Sequence, residues 1–87
     1  MTKKDKPWYV YMVRCQNKAL YTGISDDVAK RVKKHNDGKG AKAVKAHGLP
    51  VALVWSQEFE TKSLALKEEC RIKKLTKKKK EKMVKDI

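Results

Sequence analysis

Residues 8–25 read WYVYMVRC-QNK-ALYTGIS, and the way this stretch pairs with itself decides the fold. Its first eight residues are rich in aromatic and β-branched side chains, the composition of a strand. Gln16, Asn17 and Lys18 are polar and turn-like, and ALYTGIS is a second apolar run. Two such runs three residues apart predict a β-hairpin. With the loop confined to residues 16–18, Cys15 opposes Ala19, Val13 opposes Tyr21 and Tyr11 opposes Gly23. Side chains alternate along a strand, so Tyr11 and Val13 point the same way. Tyr11 and Tyr21 are then expected on one face of the sheet. A two-residue turn at Asn17-Lys18 would slip the register by one and send them to opposite faces.

Outward from the hairpin, Ser25-Asp26-Asp27 supplies a cap and acids for a helix start. Val28 and Val32, at i and i+4, form its buried edge, and Asp37-Gly38 ends it. Residues 37–50 (DGKGAKAVKAHGLP) hold three of the four glycines and one of the two prolines. They are expected to form a long basic loop with room for a short turn over residues 41–46. Residues 51–59 read as a third strand. Thr61 can cap a second helix over residues 62–75, with Ala65, Glu69 and Ile72 on one face and Leu66 and Cys70 beside them. Thr76 can cap a short basic third helix whose Met83 and Val84 dock back. The expected fold is α+β: a small three-stranded, mainly antiparallel sheet flanked by helices in the order ββαβαα. Residues 1–7 are expected to be a disordered basic tail and residues 8–87 a single domain.

The 87 residues carry 23 Lys+Arg against 10 Asp+Glu, a net charge of +13. Such a field attracts polyanions, and nucleic acid is the expected partner. An anionic membrane surface calls for a basic amphipathic helix with bulky apolar residues opposite its charges. The most basic segment, LTKKKKEK at residues 75–82, has few. A lysine surface that merely keeps the protein soluble is the plainer reading of the same charge. No apolar run approaches the roughly 18 residues of a membrane span, and no hydrophobic signal region follows the first lysines. Cys15 and Cys70 have no metal-binding spacing and are expected to be structural, in a reduced, cytoplasmic protein. A monomer is the default expectation.

There is no Asp-x-Asp pair, no His-x-His and no phosphate-cradling glycine loop before Lys-Ser/Thr. What remains is tyrosine, arginine and one acid. Tyr9, Tyr11 and Tyr21 all lie in the hairpin, either as packing residues with their hydroxyls at the rim or as chemical groups. Arg31 and His35 stand i, i+4 on the first helix, beside the valine stripe. There an arginine can grip a phosphate and a histidine can move a proton, or both can simply face solvent. Glu69 falls on an inward stripe, where an unpartnered carboxylate is costly. It must pair, with Lys73 one turn on, or hold a cation. Magnesium takes only one or two protein carboxylates, so one suffices.

Tyr9-Val10-Tyr11, nine residues, then Tyr21-Thr22-Gly23 resembles the paired motif of the GIY-YIG nuclease domain family. Tyr9 stands in place of the first glycine and Thr22 in place of the second isoleucine. The family's helix arginine falls on Arg31, its histidine on His35 and its metal-binding glutamate on Glu69, while its late asparagine has no counterpart. The opening WYVY…LYTGI and the GKGAKA segment at residues 38–43 are most similar to the small stand-alone bacterial members. The resemblance implies an endonuclease-like protein that hydrolyses phosphodiester bonds, in DNA rather than RNA, with low sequence specificity and one Mg²⁺ or Mn²⁺ held by Glu69. Arg31 would share the developing charge. Tyr11 or Tyr21, helped or replaced by His35, would take the proton of the attacking water, its pKa lowered by the surrounding cations. Lys39, Lys42 and Lys45 would grip the backbone away from the cut. The alternatives are a non-catalytic nucleic-acid-binding module and an adaptor with a nuclease-like fold.

Overall fold

A computed structural model describes residues 6–85. Of the expected disordered tail, residues 1–5 lie outside the described residues. The elements are β1 (Trp8–Arg14), β2 (Leu20–Ser25), α1 (Val28–Asn36), α2 (Lys42–His47), β3 (Ala52–Phe59), α3 (Lys62–Lys73) and α4 (Lys77–Lys85). Both β2 and β3 pair antiparallel with β1, giving the sheet order β2-β1-β3.

The hairpin closes with the predicted three-residue loop. The Cys15 N–H donates to the Ala19 carbonyl at 2.9 Å, and the Lys18 N–H donates to the Cys15 carbonyl at 2.9 Å. Lys18 takes the left-handed conformation, φ 77°, the usual last position of a three-residue hairpin loop. The register follows, with Tyr11 opposite Gly23 and Val13 opposite Tyr21. The loop also holds neighbouring elements. Gln16 and Asn17 donate backbone N–H groups to Gly48 and His47, both at 3.1 Å. The Lys18 carbonyl accepts from Arg14 and from Lys77, each at 3.2 Å.

As the central strand, β1 is covered on both faces, so Val10, Tyr11, Met12 and Val13 are all buried. Tyr11 and Val13 meet Cys15, Val44 and Val51, with Val28 and Val32 of α1 packed against them. Val10 and Met12 meet Ala65 and Ile72 of α3, and Met83 and Val84 of α4 dock on that side as expected. Each fully buried side chain of this size stabilises by roughly 1.5–3 kcal/mol.

Local chemistry sets the helix ends. Asp27 caps α1, its carboxylate accepting from the Lys30 N–H at 3.1 Å, and the Thr61 hydroxyl caps α3 through the Leu64 N–H at 3.1 Å. Thr76 caps α4 by accepting from the Lys79 N–H at 3.2 Å.

Two expectations are corrected. The long loop contains a helix, α2, so the order is ββααβαα. Its KAVKAH core has neither Gly nor Pro, Val44 anchors it in the core, and Gly48 at φ 102° stops it. Cys70 is exposed while Cys15 is buried. Helical periodicity explains this, since Cys70 is one residue past the Glu69 position and so turned about 100° off the buried stripe.

Candidate active site

Tyr11 begins the site. Its ring lies across the glycine opposite it. A Cβ built on Gly23 would sit 2.7 Å from the Tyr11 hydroxyl and 2.9 Å from Cζ. Only glycine leaves room there. The hydroxyl meets His35 Nε2 at 2.8 Å. Both residues are 1% exposed. His35 is carried there by α1, two turns after the Asp27 cap. Tyr21, on the same face as predicted, sets its ring edge-on to the His35 imidazole, with centroids 5.6 Å apart.

The other side of the imidazole is walled by Gly40. A Cβ on Gly40 would collide with His35 Nδ1, and that nitrogen is buried without a hydrogen-bond partner. Whichever ring nitrogen carries the proton, one buried donor lacks a partner, Nδ1–H when Tyr11 donates to Nε2 or the phenol O–H when Nε2–H donates to Tyr11, at a cost of roughly 1–3 kcal/mol.

Electrostatics ties in the remaining groups. Burial pushes the Tyr11 phenol above its usual 10. Arg31 opposes this, as a donor and as a charge, while Tyr21 and Glu69 add to it. Burial also lowers His35 below 6.5, and Arg31 lowers it further. One phenol thus feels Arg31, Tyr21 and Glu69 together, and Arg31 acts on both partners of the Tyr11–His35 bond. Burial outweighs the guanidinium, and the phenol is neutral.

Glu69 arrives on α3, from the opposite face of the sheet. Its carboxylate is 17% exposed and pairs with Lys73 at 3.2 Å. Among the described residues no three His, Cys, Asp or Glu side chains cluster as a metal cage. A single reachable carboxylate still fits Mg²⁺ or Mn²⁺, which keep waters and substrate phosphates as their other ligands. Lys39, Lys42 and Lys45 are exposed. Lys39 directly precedes Gly40 at the imidazole, and the other two ride on α2. Both asparagines serve loops. Asn36 accepts from the Val51 N–H at 2.6 Å and donates to the Val51 carbonyl at 3.2 Å, and Asn17 meets His47 at 2.8 Å.

Beside Arg31 opens a groove of about 300 Å³. Trp8 and Ile24 line it from the strands, and Lys30 and Lys34 line it from α1. Sequence reading missed this groove and the two glycine contacts. Both glycines lie in motifs quoted above, but only the packed rings show why no side chain fits at these positions.

A phenol–imidazole pair and a helix arginine lie on one face of the three-stranded sheet and a glutamate comes from the other, and over residues 7–82 the sequence matches the GIY-YIG catalytic domain, a nuclease-like family. The chain belongs to that family. Its relatives include a UPF0213 protein of Citrobacter koseri, 51% identical over 78 residues that make up 90% of this chain and 77% of the relative. Another, from Vibrio cholerae serotype O1, is 53% identical over 85 residues, 97% of this chain and 83% of the relative. The solution structure of the UPF0213 protein of Bacillus halodurans is similar at 40% identity and a TM-score of 0.58, covering 91% of this chain and 83% of that one. A solution structure from E. faecalis is similar at 36% identity and a TM-score of 0.63, covering 98% and 90%. No helix among the described residues is long and apolar enough to cross a membrane.

Proposed function

We propose that this protein is a metal-dependent endonuclease that hydrolyses phosphodiester bonds in nucleic acid, DNA before RNA, with low sequence specificity. The observation that carries this reading is the Tyr11 hydroxyl. It is hydrogen-bonded to His35 and lies within the influence of Arg31, Tyr21 and Glu69.

The phenol oxygen shares a hydrogen bond with His35 Nε2, and the Arg31 guanidinium favours its ionised form. In the free protein burial keeps the proton on Tyr11, so Tyr11 becomes a base only when more positive charge arrives. Glu69 would hold a divalent cation, which supplies that charge and polarises the scissile phosphate. Tyr11 would first release its own proton to solvent; the phenolate would then take a proton from the attacking water as the water oxygen bonds to phosphorus and the ester P–O bond breaks. The departing oxygen takes its proton from solvent. Arg31 stabilises the charge that builds on the phosphoryl oxygens. Tyr21 braces the imidazole, and Lys39, Lys42 and Lys45 hold the flanking backbone.

Plasmid nicking and single-strand cleavage with Mg²⁺ or Mn²⁺ test this. Tyr11→Phe is expected to lose about 10²- to 10⁴-fold in rate, the usual contribution of a general base, and Glu69→Ala is expected to abolish metal dependence. A second reading is favoured by the neutral phenol and by the absence of the family's late asparagine: a module that holds nucleic acid without cutting it. Equal trace activity in wild type and Glu69→Ala would establish that module and remove the enzyme.

A further inference from the structure

The groove beside Arg31 is not used by the proton-transfer chemistry, and its lining is unlike that of a plain phosphate cradle. Lys30, Arg31 and Lys34 form a basic wall on α1, and Trp8 and Ile24 supply an apolar one. Asp26 and Asp27 join the lining from the turn between β2 and α1. Carboxylates repel a phosphate but accept hydrogen bonds from the exocyclic amines of a base. At about 300 Å³ the groove is at the small end of ligand pockets. It has room for one base and its sugar and none for a duplex.

Trp8 is placed as a platform. It is half-buried, its inner part packed with Val10, Ala65 and Ile72. The Lys62 ammonium sits over the ring 5.0 Å from its centroid, beside a second recess of similar volume that Trp8 also lines together with Lys6 and Lys62. Trp8 thus lines both recesses, the one with the Lys62 ammonium over its ring and the groove beside Arg31. Aromatic platforms flanked by cations that track a backbone are how proteins hold unpaired nucleic acid, and stacking is worth roughly 1–3 kcal/mol per base.

We infer that Trp8 stacks an unpaired base next to the phosphate held by Arg31, so that the substrate is single-stranded or frayed nucleic acid rather than intact duplex. This rests on the reading of the domain as a nucleic-acid phosphodiesterase, and it names the substrate class of that site. Lys30 and Lys34, one residue before and three after Arg31, hold the neighbouring phosphates.

Fluorescence anisotropy of the full-length protein, without divalent metal and at fixed salt, tests it. The ligands are an oligodeoxynucleotide, the matching oligoribonucleotide and a blunt duplex of equal length. Trp8→Leu is expected to weaken single-strand binding roughly 5- to 140-fold and to change duplex binding less than about 2-fold, while Trp8→Phe restores most of the loss. The single strand that loses affinity identifies the preferred sugar. Unchanged single-strand affinity in Trp8→Leu, or an equal loss for strand and duplex, overturns the inference. Because Trp8 also packs in the core, a second readout uses the wild type, where 2-aminopurine in the oligonucleotide is quenched on binding if it stacks, and absence of quenching overturns the inference. Trp8-dependent binding without cleavage would keep the inference and remove the nuclease. Cleavage indifferent to Trp8 would do the reverse.

Discussion

Gly23→Ala is the sharpest probe of the site's construction. The new methyl would sit 2.7 Å from the Tyr11 hydroxyl, 2.9 Å from Cζ and 3.2 Å from Cε2. Ordinary carbon contacts lie near 3.5–4.0 Å, so the phenol must move by roughly 0.7 Å or more. It has nowhere free to go, since Tyr11 is 1% exposed and its hydroxyl is fixed to His35 at 2.8 Å. Overpacking costs about 1–3 kcal/mol and the strained hydrogen bond about 1 kcal/mol. Replacing a strand glycine returns about 0.5–1 kcal/mol. The net expectation is a loss of about 2 kcal/mol, which for a domain this size lowers Tm by roughly 8–16 °C. Urea and thermal unfolding measure it, and the His35 ring resonances should move with it. The same substitution in a Tyr11→Leu background removes the collision, so the penalty should vanish there. Wild-type stability in Gly23→Ala, or an undiminished penalty in the double variant, would refute the placement of Tyr11 over Gly23.

Further outcomes follow from the charges and the loop anchors. His35 has its folded pKa below 6.5, so the unfolded chain binds the proton more readily and stability is lost as pH falls below 6.5. Urea midpoints at pH 7.5 and 5 should show this for wild type and less for His35→Gln. Glu81 is held down to about 2 by the hydrogen bonds of Arg14, with smaller help from the charges of Arg14 and Lys77. Its stabilising contribution is full above the ordinary 4.5 and lost as pH falls through about 2, a dependence that Glu81→Gln should abolish in acid titrations followed by circular dichroism. Asn36→Ala leaves the Val51 N–H and carbonyl without their side-chain partner and is expected to cost about 1–2 kcal/mol in urea unfolding.

Much of the architecture is legible in the sequence because it is set by local chemistry. The polar triplet at residues 16–18 fixes the loop length, hence the register, hence the shared face of Tyr11 and Tyr21. Asp27, Thr61 and Thr76 cap the helices they precede. The i, i+4 spacing of Arg31 and His35 placed them on one side of α1, and Glu69 shares the stripe of Ala65 and Ile72. What escaped depends on distant packing. The α2 helix is held by Val44 docking in the core, which no local signal announces amid glycines. The acidity of Tyr11 turns on how completely α1 and the sheet exclude water, a term that a count of nearby cations does not contain. Gly40 is needed because an imidazole from another element lies against it, a reason its own neighbours do not carry.

The hairpin loop has a consequence for how this protein tolerates change. Residues 16–18 not only reverse the chain. Their backbone amides moor the end of α2, and the outward carbonyl of Lys18 receives cations from β1 and α4. Deleting one residue would therefore rotate both phenols out of alignment and unfasten two helices at once. Exposed turns are ordinarily where a chain accepts insertions or new termini; in this molecule the exposed hairpin bend is a keystone, and grafts belong elsewhere.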